Sequence, residues 1–169
     1  AFAEALPHVG YPQTRNRGTL GGSLAWADPA AELPALAVAH AAQVQVQSAR
    51  GERWIAAAEL MAAPFSTTLE PDELVVAIAL PLPEAGSGSA FAEVARRQSH
   101  RAEAGAISQV HLGRDGSISA CTLTLFAVDR RPAVVPAAAA LLVGHQPTPA
   151  AIAAAAAAID LPTVTDMYA

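Results

Sequence analysis

The clearest periodic stretch of the chain is Gln43-Val44-Gln45-Val46-Gln47, where polar and apolar residues alternate. A period of two predicts a strand with Val44 and Val46 on a core face. Ser48 to Gly51 predicts a turn, and Arg53-Trp54-Ile55 a strand that pairs back as a hairpin. Ala57 to Met61 reads as a helical turn. Leu74 to Leu80 is apolar throughout and of strand length, which predicts burial on both faces; Pro81 and Pro83 end it. Ahead of these strands, Ala1 to Leu6 reads as the tail of a helix stopped by Pro7. Leu33, Leu36, Ala37 and His40 fall on one helical face. A helix running through Pro34 would lose a hydrogen bond and meet a carbonyl clash. The main helix is therefore predicted from about Pro34 to Ala41, after a short turn opened by Asp28 as cap and Pro29.

Pro81 to Ser89 is rich in Pro, Gly and Ser and predicts a domain boundary, dividing the chain into residues 1–84 and 85–169. Three strands are predicted beyond it: Ala90 to Arg97, Gly105 to Leu112 and Ser117 to Val128. Gly113-Arg114-Asp115-Gly116 joins the last two as a hairpin. In the last strand Cys121, Leu123 and Leu125 share one face and Thr122 and Thr124 the other. Two alanine-rich helices close the chain. One runs from Pro136 to Gly144, and the other is capped by Thr148 and runs to Ile159. Hairpins segregated from helices, without strict βαβ alternation, give an α+β class with mainly antiparallel sheets.

Composition removes several functions. The 169 residues are 53% hydrophobic, enough for a core, with a net charge of −5 that gives nucleic acid no basic face. All ten basic residues are arginine, so neither a Schiff-base lysine nor a P-loop lysine exists. Cys121 is the single cysteine. It excludes an internal disulfide, points to a reducing compartment, and leaves no ligand set for an iron–sulfur cluster. The five histidines show no metal-ligand spacing. The longest apolar run, Ala150 to Ile159, is too short for a membrane span. Ala1-Phe2-Ala3-Glu4 lacks a signal peptide's charged start and reads like a chain entered within a helix, so a fragment is expected.

One segment carries chemistry: Arg15-Asn16-Arg17-Gly18-Thr19-Leu20-Gly21-Gly22-Ser23-Leu24-Ala25, followed by Asp28-Pro29-Ala30-Ala31-Glu32. Gly21-Gly22 lets backbone approach a neighbour closely, hydroxyls flank it, and an apolar segment follows. Two readings fit. Backbone N–H groups at such a turn make an anion cradle, with Asp28 and Glu32 placed to accept sugar hydroxyls, as a dinucleotide would require. Alternatively the pair is a bare tight turn, Asp28 a helix cap and Glu32 a surface residue. Arg15 and Arg17 fit either a phosphate or solvent. Both the Rossmann and the Walker fingerprints are absent.

The run HVGYPQTRNRGTLGGSLAWADPAAELPAL resembles the FAD-binding subunit of the molybdenum hydroxylases, such as the medium subunit of carbon monoxide dehydrogenase and the flavin domain of xanthine dehydrogenase. PDELVVAIALPLP, GSAFAEVARR and LLVGHQPT extend the likeness along nearly the whole chain. The resemblance implies the second half of a vanillyl-alcohol-oxidase-type FAD-binding domain, with an antiparallel sheet and helices. A small C-terminal domain of antiparallel sheet plus helices would follow. The family's first Gly-rich loop would precede Ala1, and relatives continue past Asp166-Met167-Tyr168-Ala169 into a final helix.

By the same resemblance, Thr19, Leu20, Gly21, Gly22 and Ser23 would wrap the FAD pyrophosphate. Asp28 and Glu32 would lie near the sugar and ribityl part, and Leu74 and Val75 near the flavin. No side chain is expected to act as nucleophile or catalytic acid. The implied role is electron transfer through FAD to an acceptor, in a cytoplasmic complex. A 2Fe–2S small subunit and a molybdopterin large subunit are the implied partners, assembled as a dimer of heterotrimers; the fragment alone would be inactive. The competing expectation is a non-catalytic assembly remnant of such a flavoprotein subunit. Two positions depart from the pattern: Ala92 stands where some relatives carry a lysine, and Gln98 to Glu103 is more polar than usual. Of the remaining residues, His8 and His100 are read as solvated, Cys121 as an inert core thiol, and Trp26 and Trp54 as packing residues. Arg96-Arg97 is read as a salt-bridge site.

Overall fold

A computed structural model describes residues 1–161 of the chain; the expectation for Asp166 to Ala169 falls outside them. Four helices come first: α1 (Phe2–Ala5), α2 (Pro12–Arg15), α3 (Leu20–Trp26) and α4 (Glu32–Ala39). The strands β1 (Gln43–Ser48), β2 (Gly51–Ala56) and β5 (Leu74–Ala79) form a sheet in the order β2-β1-β5. Between β2 and β5 lie α5 (Ala57–Leu60) and a small ribbon of β3 (Met61–Ala63) and β4 (Ser66–Thr67). A second sheet has the order β6-β7-β8-β9, from β6 (Ser87–Ala95), β7 (Ala102–Leu112), β8 (Ile118–Phe126) and β9 (Ala133–Val134). Helices α6 (Pro136–Ala140) and α7 (Pro149–Ala157) follow, with Thr148 capping α7 through the Ala151 N–H. Every strand pair is antiparallel.

Helix α4 holds the two layers together. Its Ala37 packs with Leu24, Val44, Val46, Ile55 and Leu60 against the first sheet. Its Ala35, Leu36 and Ala39 pack with Ala5, Ile107 and Phe126 against the second. A helix apolar all round is a buried helix, and this replaces the single apolar face predicted for it. The start also differs: the helix begins at Glu32, so Pro34 occupies its third position, where no intrahelical N–H bond is lost. Val44 and Val46 are fully buried, as their alternation predicted.

Two strand faces depart from prediction. Among the described residues β5 is an edge strand paired only with β1, and one face meets the core through Val75 and Ile78. Leu74 and Val76 are left outside, Leu74 with 72% of its surface exposed. In β8 the buried positions are Ile118, Thr124 and Phe126, while Cys121 is only partly covered. The cause is cross-strand: Phe126 pairs with Gly105, and its ring fills the space a Gly105 side chain would need. That register turns the even-numbered residues inward. Cys121 is thus not a core thiol, although partial burial still raises its pKa.

Trp26 and Trp54 are also corrected, since both are largely exposed. The Trp26 ring lies 5.6 Å from the half-exposed Phe65 ring. His8 is not a solvated residue: its Nδ1 lies 2.8 Å from Glu93 Oε1. Arg96 forms the intrachain bridge expected of it, to Glu103.

Candidate functional site

Thr19 opens α3. Its backbone is extended, and its Oγ1 accepts the Gly22 N–H at 3.0 Å, which makes it a side-chain N-cap. Both readings of the sequence put Gly21-Gly22 in a turn; the structure puts them in the first turn of a helix, because the Thr19 cap starts it there. The N–H groups of Leu20 and Gly21 have no intrahelical acceptor, as is general at this end. They carry the positive pole of the peptide dipoles outward.

Each glycine has its own local cause. A Cβ on Gly21 would lie 3.3 Å from Val75 Cγ1 and 3.5 Å from the Val75 carbonyl oxygen. Hydrogen at this position lets α3 press onto β5. A Cβ on Gly22 would lie 2.9 Å from Thr19 Oγ1, the capping oxygen itself. Thr19 to Ser23 and Val75, distant in sequence, are therefore brought together, while Leu74, the residue before it in β5, is exposed.

The carboxylates are placed differently. Ala27 adopts a left-handed conformation that ends α3. Asp28 Oδ1 then accepts the Ala30 N–H at 3.0 Å, and its backbone carbonyl accepts the Ala31 N–H. This is an Asx-type turn, not the start of a helix. Asp28 Oδ2 receives Arg101 Nε at 3.0 Å, and the residue is buried. Glu32, the first residue of α4, is equally buried, not a surface residue. Burial drives its pKa up to about 7, its own backbone N–H opposes the rise, and the charges of Glu93 and Asp28 add to it.

Arg15 does not reach outward as a free cation: its Nη1 donates to the carbonyls of Val9 and Gly10. Two participants, Arg101 and Glu93, were not singled out from the sequence. Arg101 holds Asp28, and His8 holds Glu93, whose side chain is 2% exposed with Oε2 buried and unpartnered. Strand alternation from Phe91 would have put Glu93 on the inward face of β6, and that was the available signal. Among the described residues no group of three or more His, Cys, Asp or Glu is placed to hold a metal ion. No helix among them is long and apolar enough to cross a membrane.

Comparison with known proteins gives concordant results. The family of the FAD binding domain in molybdopterin dehydrogenase matches residues 1–83. The 6-hydroxypseudooxynicotine dehydrogenase complex subunit alpha of Paenarthrobacter nicotinovorans is 44% identical over 124 residues, covering 73% of this chain and 42% of that one. The carbon monoxide dehydrogenase medium chain of Hydrogenophaga pseudoflava is 35% identical over 104 residues, 62% of this chain and 36% of that one. Among solved structures, quinoline 2-oxidoreductase from Pseudomonas putida 86 superposes with a TM-score of 0.89 at 34% identity, over 97% of this chain and 57% of that chain. Carbon monoxide dehydrogenase from Hydrogenophaga pseudoflava gives 0.85 at 33% identity, over 96% and 57%. The chain thus spans less than half the length of these curated relatives. With the capped α3 on β5 and two antiparallel sheets around α4, residues 1–83 belong to the FAD-binding domain family of molybdopterin dehydrogenases, in a chain built like the medium subunits of molybdenum hydroxylases.

Proposed function

We propose that this chain is the FAD-holding part of an electron-transfer subunit in a molybdopterin-dependent dehydrogenase. The observation that carries the reading is the α3–β5 junction. There the outward N–H groups of Leu20 and Gly21, fixed by the Thr19 cap, adjoin the strand of Leu74 and Val75. A helix N-terminus without side chains at two of its first positions suits a pyrophosphate, and the strand it packs on carries an exposed leucine, Leu74, of the kind that suits an apolar ring. The residues present therefore fit the cofactor of the family. Thr19, Leu20, Gly21, Gly22 and Ser23 would hold the pyrophosphate, Asp28 and Glu32 would lie toward the sugar and ribityl part, and Leu74 and Val75 toward the flavin. Asp28 contributes mainly by shaping its turn, since Ala30 and Arg101 already occupy both its oxygens.

Bound FAD supplies the redox chemistry, electrons arriving from 2Fe–2S centres and leaving to an acceptor. The protein's own contribution is to bind, orient and exclude water. By the family resemblance, the iron–sulfur centres would sit on a small partner subunit and molybdopterin on a large one. A dimer of heterotrimers in the cytoplasm is the assembly we infer. The test is purification of the full-length protein from its own cells, with flavin, iron and molybdenum measured. Stoichiometric flavin with co-purifying iron and molybdenum is the expected result. A flavin-free protein would favour the assembly-remnant alternative.

A further inference from the structure

The pairing of β7 with β8 slips just before their hairpin. His111 faces Ala120 and Leu112 faces Ile118, which leaves Ser119 as the extra residue of a bulge. A bulge re-aims the side chain it carries. Here Ser119 Oγ comes to 2.6 Å from His111 Nδ1. On its other side the His111 ring meets the segment that joins β5 to β6. Its Nε2 lies 3.0 Å from the Ala85 carbonyl oxygen and 3.9 Å from Glu84 Oε2.

These partners fix the protons. A carbonyl oxygen only accepts, so in the neutral imidazole Nε2 carries the proton and Nδ1 is the acceptor. Two atoms 2.6 Å apart, both able to accept, need a proton between them, and only the Ser119 hydroxyl can supply it. The carbonyl of His111 itself, 3.0 Å from Oγ, is the more distant acceptor. The arrangement is a hydroxyl on a base that a third group orients, which is how a weak nucleophile is activated. The Glu84 carboxylate on the Nε2 side favours the imidazolium that proton transfer creates. Ser119 is exposed to solvent. His111, Glu84 and Ala120 also line a cavity that includes the apolar side chains of Leu80, Leu82 and Val110.

We propose that Ser119 is an acyl-acceptor site, with His111 as its base and small activated esters as its substrate class. Oγ bonds to the ester carbonyl carbon while its proton passes to Nδ1. The bond from that carbon to the leaving oxygen then breaks, and His111 returns the proton to the leaving alcohol or phenol. The product is an ester of Ser119, with no change of oxidation state. The proposal is independent of the FAD reading.

The test is to treat the full-length protein with p-nitrophenyl acetate in mildly alkaline buffer. Nitrophenolate release gives the rate, and peptide fragmentation in a mass spectrometer places the acetyl group. Ser117, whose Oγ bonds Asp115 and has no histidine partner in reach, is the internal comparison two residues away. Ser119 should be acetylated at least about tenfold faster than Ser117, and His111→Gln should remove most of that difference. Cys121→Ala should leave the Ser119 label in place, since burial keeps the Cys121 thiol protonated. Should His111→Gln fail to fold, the ratio of Ser119 to Ser117 in the wild type still decides. Acetylation confined to Ser117 or Cys121, equal labelling of the two serines, or a Ser119 rate unmoved by His111→Gln overturns the proposal.

Discussion

Gly21 of α3 and Val75 of β5 are in contact so close that a methyl group on Gly21 would lie 3.3 Å from Val75 Cγ1. This pairing sets the height of the helix N-terminus above the strand, and with it the direction of the Leu20 and Gly21 N–H groups. Gly21→Val should therefore destabilise the protein by about 1–3 kcal/mol through overpacking and reduce flavin retention. Val75→Ala in the same chain should recover much of the stability, because it returns the volume. A double-mutant cycle by denaturant unfolding measures this; strictly additive effects would show that the two residues do not constrain each other.

Thr19→Ala should cost about 1 kcal/mol of stability by leaving the Gly22 N–H without its cap. Thr19→Ser keeps the oxygen and should stay near the wild type. Flavin content after gel filtration should follow the same order, since the cap holds the N–H groups assigned to the pyrophosphate. Equal flavin content in all three proteins would separate the cap from the binding site. Gly22→Ala is the harsher probe, its new methyl lying 2.9 Å from the capping oxygen.

Gly105→Ala tests the register of the second sheet. Its Cβ would fall 2.1 Å from the Phe126 ring, far inside contact distance, and Phe126 is fully buried. The ring or strand must move, so a loss above about 3 kcal/mol is expected. Phe126→Leu in the same chain should restore part of it by removing the ring edge. A Gly105→Ala protein with unchanged melting temperature would mean that the ring does not lie over this glycine.

What the residues disclosed in advance was local, and what they withheld was relational. The alternation of Val44 and Val46, the hairpin at Gly113 to Gly116 and the Thr148 cap each depend on neighbours a few residues away. The glycines and hydroxyls of the Thr19 to Ser23 segment left both a bare turn and an anion cradle open, and the cofactor reading came from the family resemblance. Yet its helical start was missed, because the cap signal of Thr19 competed with the turn signal of two glycines. Apolar content could not say that β5 would be an edge strand with Leu74 outside, since edge or centre is decided by pairing with β1. Nor could it say that Thr124 would face inward, since that depends on Phe126 meeting Gly105 across the sheet. The contacts His8–Glu93 and Arg101–Asp28 join residues 85 and 73 positions apart. No window along the chain contains both members.

Glu32 makes a specific stability-versus-pH prediction. Its pKa is about 7 in the folded protein against an ordinary value of 4.5. Between these values the folded form keeps a proton that the unfolded chain has released. Linkage then requires stability to fall as pH rises through this window and to level off above it. The loss assignable to this group is on the order of 3 kcal/mol. Other shifted carboxylates act in a different range: Glu73, lowered to about 2 by its bond to Arg53, contributes stability that is lost only as pH falls below about 4.5. Glu32→Gln removes the titration while keeping shape and a hydrogen-bond donor. Its stability relative to the wild type should therefore climb from pH 4.5 to 7 and then run level. Thermal unfolding of both proteins across that range is the measurement. Parallel curves would mean that Glu32 does not hold its proton on folding.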